Sequence, residues 1–251
     1  MNRAQLMRRR AGDAGGPVSD LPSRNRPRIH STAIIEPGVR IGAGTAIWDN
    51  VHVRGPARIG RDCIVGEKTY IAYGVTIGDL VKINAHVYIC TGVTIEDRVM
   101  VAAGVIFTND RCPRAFDDGG DGLAFSGPTE ETLQTTVQEG ATIGAGAVVG
   151  PGRVIGRFAM VGMGAVITTD VPPHGLVYGN PARPHGYVCI CGAPLPALRG
   201  RTRPRSSGVC ARCGLKFTAR RCGATDLDLS FPGWSGKSDA GPGRGSRRNG
   251  V

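Results

Sequence analysis

The stretch KINAHVYICTGVTIEDRVMVAAG, residues 82–104, carries a large aliphatic side chain at every sixth position: Ile83, Ile89, Ile95 and Val101. A helix face repeats every 3.6 residues and an alternating strand every second residue, so neither sets this step. Followed outward, the step runs from Ile35 through Ile41, Ile47, Val53, Ile59, Val65, Ile71 and Ile77 to Phe107, and resumes as Val137, Ile143, Val149, Ile155, Val161 and Ile167. Two places earlier in each unit stands a small or β-branched residue such as Thr69, Val81, Val87 or Val99. Residues two apart on a strand share a face, so each unit reads as a short strand with two inward side chains, followed by a turn. Three such strands per coil make a triangular prism of eighteen residues per turn, whose coils stack by parallel pairing: an all-β solenoid.

Gly42, Gly60, Gly66 and Gly78 follow the aliphatic position directly, where the absence of a Cβ permits strained or left-handed backbone in the turn. Arg153 occupies an inward place and must snorkel, find a partner or displace the register. Pro172 and Pro173 lack the amide hydrogen that a ladder needs, which predicts the end of the prism.

Composition agrees with a repeated turn. Thirty-nine Gly and seventeen Pro with 5% aromatic residues would suggest low complexity in an aperiodic chain, but here the glycines are periodic. The formal charge of +11 is confined to the flanks, where residues 1–29 carry +5 and residues 199–251 carry +9, leaving −3 between them. Those flanks are rich in Gly, Ser, Pro and Arg and read as solvated tails. A basic groove on the folded body is not supported; the tails could attract polyanions, but nucleic acid is not an expected partner. No segment approaches the roughly 20 apolar residues that span a bilayer, and the basic N-terminus is followed by AGDAGGPVSD in place of an apolar signal core. A cytoplasmic protein without a membrane partner is expected, with its eight Cys reduced.

The I-G-x-x-x-x units, the interrupting loop and the closing GAVITTDVPPHGLVYGNPAR resemble the hexapeptide-repeat acyltransferases, whose fold is a left-handed parallel β-helix. Within that family IWDNVHVRG, VKINAHVYICTGVTIEDRVMVAAGVIFTND and GNPAR resemble the nucleotide-sugar N-acetyltransferases. The resemblance implies a homotrimer with active sites between neighbouring prisms, acetyl-CoA as co-substrate and a nucleotide-linked amino sugar as acceptor. It places cofactor contacts at Gly162, Met163 and Gly164 and at Asn180, Pro181 and Arg183.

Acetyl transfer to an amine needs a group to take the proton as nitrogen attacks the thioester, and imidazole suits neutral pH. His86 precedes the inward Val87, should point outward, and is the expected base; His52 is the weaker candidate. Asn84 reads either as a left-handed corner residue or, by the resemblance, as a catalytic group near the amine. Residues 108–134 break the prism for longer than structureless loops usually run, about 12–15 residues. Their acids Asp110, Asp117, Asp118, Asp121, Glu130 and Glu131 are either ordinary surface acids or partners for a sugar ammonium.

After the prism, YVCICGAPL and GVCARCGLKF present Cys189, Cys191, Cys210 and Cys213 as two turn-borne pairs. Four thiolates suit a closed, structural zinc site in a zinc-ribbon-like module. The expected organisation is a disordered basic tail at 1–28, the β-helix domain at 29–186 with its loop, the zinc-ribbon-like module at 187–222 and a second basic tail at 223–251. Two other function classes compete: a non-catalytic trimeric scaffold, and a metal hydratase of the γ-carbonic-anhydrase type, which needs a third histidine that the prism lacks.

Overall fold

A computed structural model describes residues 25–117, 119–125, 127–198, 205–222, 227–232 and 234. Most of both expected tails lies outside these residues. The chain forms an all-β parallel solenoid of about eight coils, and among the described residues no helix is long and apolar enough to cross a membrane.

The prism has three faces. Face 1 stacks Arg28–Ile29, Ala46–Ile47, Ile64–Val65, Lys82–Ile83, Met100–Val101, Thr142–Ile143, Met160–Val161 and Gly175–Gly179. Face 2 stacks Ile34–Ile35, His52–Val53, Tyr70–Ile71, Tyr88–Ile89, Ile106–Phe107, Val148–Val149 and Val166–Ile167. Face 3 stacks Arg40–Ile41, Arg58–Ile59, Thr76–Ile77, Val93–Ile95, Thr135–Val137 and Val154–Ile155. Register follows the eighteen-residue coil, Lys82 opposite Met100 and Tyr70 opposite Tyr88, and resumes across the loop with Ile95 opposite Val137. Both inward columns are buried: Val51, Val53, Val65, Ile71, Ile89, Val101 and Phe107 expose essentially nothing. Each such aliphatic contributes roughly 1.5–3 kcal/mol. The inward hydroxyls are paired, Thr45 donating to the Gly60 carbonyl at 2.7 Å and Thr69 to the Asn84 carbonyl at 3.1 Å.

The corners differ from the reading of the sequence. Gly42 and Gly60 are not left-handed; a Cβ on Gly42 would lie 2.5 Å from the Gly60 carbonyl carbon, so the next coil's backbone leaves no room for one. The left-handed residue comes two places later, and it is often not glycine: Gly44, Asp62, Lys68, Leu80, His86 and Arg98 all have φ between 53° and 76°. Asn84 therefore does not fill the left-handed corner, whereas His86 does. Arg153 keeps the register by bending outward. Its Nε donates to the Pro151 carbonyl at 3.0 Å and its guanidinium lies 3.9 Å from Asp170.

Pro172 and Pro173 do not end the prism. Val171 still bridges to Ile155, and Gly175–Gly179 adds a further parallel strand to face 1 because the prolines fall at the corner between faces 3 and 1. The solenoid stops one strand later, where Ala182–Tyr187 turns back antiparallel. Beyond it Arg205–Val209, Lys216–Arg221 and Leu227–Ser230 form a small antiparallel sheet. The third strand lies within the stretch read as a tail from 223. It is held by burial of Leu227, whose amide donates to the Tyr187 hydroxyl at 3.0 Å. His174 joins the two parts: 6% exposed, it stacks between Phe158 and Phe231 with centroids at 5.3 and 4.9 Å, and its Nδ1 lies 3.1 Å from the Val188 carbonyl oxygen.

Candidate functional site

Most of the expected transferase residues share one edge, where face 1 turns into face 2. Asn84, Ala85 and His86 form that corner in the fourth coil, and Gly162, Met163 and Gly164 form it three coils later. Successive corners are tied by the His86 amide to the Glu67 carbonyl at 3.0 Å, Gly104 to Ala85 at 3.0 Å, Gly146 to Ala103 at 2.9 Å and Gly164 to Ala145 at 2.8 Å. At about 4.8 Å per coil, the two groups are roughly 14 Å apart. The strand Gly175–Gly179 runs toward the same edge, with Tyr178 against Gly162, so Asn180, Pro181 and Arg183 lie exposed at or just past its end.

The edge changes character at His86. On the C-terminal side its corners are Ala102-Ala103-Gly104, Gly144-Ala145-Gly146 and Gly162-Met163-Gly164, nearly bare of side chains, and a Cβ on Gly146 or Gly164 would meet nothing within 4 Å. On the N-terminal side the corners are Gly66-Glu67-Lys68 and Trp48-Asp49-Asn50. A backbone-lined track thus runs up to an exposed imidazole and gives way to half-buried carboxylates, Glu67 and Asp49, beyond it.

Sequence reasoning missed a second cluster, on face 2. His52 Nε2 lies 2.9 Å from Glu36 Oε1, Arg54 Nε lies 2.6 Å from the same oxygen, and Arg54 also donates to the Tyr70 hydroxyl at 3.2 Å. The Glu36 carboxyl is held below the ordinary carboxylate range, first by the Gly55 amide and then by Arg54 and His52. Tyr70 stacks on Tyr88 at 5.1 Å, so an aromatic ladder leads across the face toward the His86 corner. The signal was available: Glu36 and Arg54, like His52 and Tyr70, are eighteen residues apart and hence in the same column.

Among the described residues the loop springs from the opposite side of face 2 to His86, and Asp118 lies outside those residues. The loop leaves and rejoins at the corner between faces 2 and 3, the far side of face 2, with Thr132 and Leu133 against Gly92. It surrounds a cavity of about 690 Å³ lined by Asn109, Asp110, Arg111, Arg114, Phe116 and Phe125 among others, so both charge signs are present. The Asp110 carboxylate serves a local turn, accepting from the Cys112 amide at 2.8 Å, and the Asp117 backbone carbonyl accepts from the Gly120 amide at 3.0 Å.

Residues 38–73 match the model of the bacterial transferase hexapeptide (six repeats), and residues 85–109 and 134–169 that of the hexapeptide repeat of succinyl-transferase. These segments carry the hexapeptide repeat of bacterial transferases. Over 84 residues it is 39% identical to dTDP-3-amino-3,6-dideoxy-alpha-D-galactopyranose 3-N-acetyltransferase of Aneurinibacillus thermoaerophilus. That match covers 34% of this chain and 40% of the relative, so the chain spans less than half the length of that enzyme. The acetyltransferase domain of PglB from Neisseria gonorrhoeae FA1090, solved in complex with acetyl coenzyme A, is 20% identical at a TM-score of 0.41, over 64% of this chain and 58% of that one. WeeI from Acinetobacter baumannii AYE is 27% identical at the same TM-score, over 54% and 55% of the two chains.

Among the described residues, one group of His, Cys, Asp or Glu is placed to hold a metal: Cys189, Cys191, Cys210 and Cys213, their sulfurs within 4.8 Å of one another. Among the described residues, His52 and His86 do not join such a group. Two further thiols, Cys63 and Cys90, are buried in the prism. Cys63 faces inward, 3.1 Å from the Gly78 carbonyl, and burial pushes the Cys90 thiol up to about 11.

Proposed function

We propose that this chain is an acetyl-CoA-dependent N-acetyltransferase acting on the amino group of a nucleotide-linked amino sugar, built on a left-handed β-helix. One observation carries the reading: the bare track from Gly164 to Gly104 ends at His86, and carboxylates take over where the track stops. A thin pantetheine arm suits backbone without side chains, and Arg183 at the far end suits its phosphates. An ammonium-bearing sugar suits Glu67 and Asp49. The matched segment of the amino-sugar acetyltransferase supports the same acceptor class.

In this reading Asn84 orients the acceptor amine and the His86 ring takes its proton as nitrogen attacks the carbonyl carbon. Backbone amides at the corner stabilise the oxygen as it gains charge. The carbon–sulfur bond then breaks, and CoA leaves as a thiolate that recovers the proton.

We further propose that the working unit is a homotrimer. Face 2 presents Ile34, Tyr88 and Ile106 outward at 58%, 46% and 43% exposure, an apolar stripe of the kind that marks a protein interface. With the loop on one side of this face and His86 on the other, a neighbouring copy can bring its loop to the first copy's edge. A reducing compartment, the cytoplasm, suits the four clustered and unbridged thiols. Those thiols take no part in the reaction, because four thiolates leave a zinc ion no open position.

The test is thiol release from acetyl-CoA by purified protein given UDP- and dTDP-linked 3-amino and 4-amino sugars, beside His86→Asn, which keeps a residue tolerant of the left-handed corner. Turnover on one sugar with a loss of roughly 10²–10⁴-fold in the variant is the expected result. Full turnover in the variant removes His86 as base. Failure of wild-type protein to bind any acyl-CoA overturns the transferase reading and leaves a scaffold.

A further inference from the structure

The ribbon's four cysteines lie outside both family matches and outside the proposed reaction. Their sulfurs come from two glycine-closed turns, the second one residue longer than the first. Gly192 donates to the Cys189 carbonyl at 2.8 Å and Gly214 to the Cys210 carbonyl at 2.9 Å, and both glycines are left-handed, with φ of 82° and 75°.

The spacing of the sulfurs is more specific still. Cys189 and Cys213, and likewise Cys191 and Cys210, are 3.7 Å apart between sulfurs. Disulfide sulfurs sit about 2.0 Å apart, so these pairs are unbridged. Four sulfurs each about 2.3 Å from a central zinc form a tetrahedron with edges of about 3.8 Å. Thiols packed for apolar reasons alone have no cause to converge from two turns to this distance.

We propose that Cys189, Cys191, Cys210 and Cys213 bind one zinc ion in a closed, tetrahedral, structural site that locks the ribbon onto the last coils of the prism. Two of the ligands, Cys189 and Cys210, belong to the ribbon's small core with Leu195, Leu198, Phe217 and Phe231. That core is slight for a module of its size, which is where a metal staple is needed. The lock follows from the chain: Cys189 directly succeeds Val188, whose amide donates to the His174 carbonyl at 2.8 Å and whose own carbonyl oxygen faces His174 Nδ1. The ion therefore anchors the strand that closes the prism as well as the sheet beyond it.

Full-length protein from zinc-supplemented culture, purified without chelator, tests this by elemental analysis and by pulsed alkylation read out cysteine by cysteine. One zinc per chain is expected, with the four ligands alkylated at least tenfold more slowly than the exposed Cys112 until a strong chelator is added. Cys191→Ser and Cys213→Ser each lower the zinc content and expose the remaining three thiols. Absence of metal after zinc loading, disulfides at these cysteines, or zinc content unchanged in the variants overturns the site; iron in place of zinc overturns the ion. If a serine variant does not fold, the wild-type alkylation pattern with and without chelator still decides.

Discussion

The contact between ribbon and prism should weaken in mild acid, and His174 sets by how much. Burial, with Arg157 nearby, lowers its pKa to about 4 from the ordinary 6.5, so the folded protein holds the ring neutral where the unfolded chain protonates it. The depressed value means that the contribution is whole above pH 6.5 and is lost as pH falls toward 4. The difference between 6.5 and about 4 corresponds to about 3.4 kcal/mol in full, of which about 2 kcal/mol is gone by pH 5. Urea unfolding at pH 7.5 and at pH 5, followed by the fluorescence of Trp234 against Phe158 in a Trp48→Phe background, reads this loss. His174→Asn keeps a residue that accepts φ of 59° and a donor for the Val188 carbonyl while removing the titration. The variant should be less stable at pH 7.5, through lost stacking, yet lose about 2 kcal/mol less than wild type between the two pH values. Equal losses in both proteins would refute the assignment of acid sensitivity to this ring.

Gly42→Ala puts a Cβ against the backbone of Gly60 and should cost about 2–3 kcal/mol, measured by denaturant midpoint. Gly146→Asn, by contrast, enters open space at a left-handed corner; stability should change by no more than about 0.5 kcal/mol while acetyl-CoA binding, by calorimetry, weakens about tenfold. Glu139, 8% exposed, pairs with both Arg98 and Arg157, and Glu139→Gln should cost about 2 kcal/mol in thermal unfolding because two partly buried guanidinium groups lose one carboxylate.

The prism was legible because its period is explicit: the aliphatic column fixes which side chains point inward, and eighteen-residue arithmetic fixes which coils stack. The corners were less so. Glycine recurs at two places in the unit for two reasons, space at Gly42 and backbone sign at Gly44, and identity alone does not tell them apart. His86 was picked as a base from its chemistry, but its strained corner was not foreseen, since Leu80 and Lys68 show that the position accepts almost any side chain. Columns beyond the loop could be aligned only by knowing how much chain the loop removes, because Val101 pairs with Ile143 across it. Glu36, His52 and Arg54 needed only the same arithmetic applied to outward residues. Leu227–Ser230 is too short to show a period, and the neighbouring Arg-rich composition masked it.

Distances along the His86 edge come in whole coils. Insertion of a single six-residue unit would rotate every later coil by a third of a turn and carry Gly162–Gly164 to a different edge. Insertion of three would keep the edge and lengthen it by one rung. The molecule is therefore a toothed gauge: the span between His86 and Gly162–Gly164 shifts only in steps of about 4.8 Å. If the edge holds an acyl carrier as proposed, any finer adjustment to its length has to come from side chains, and on this bare edge Met163, 82% exposed, is the one large enough to supply it.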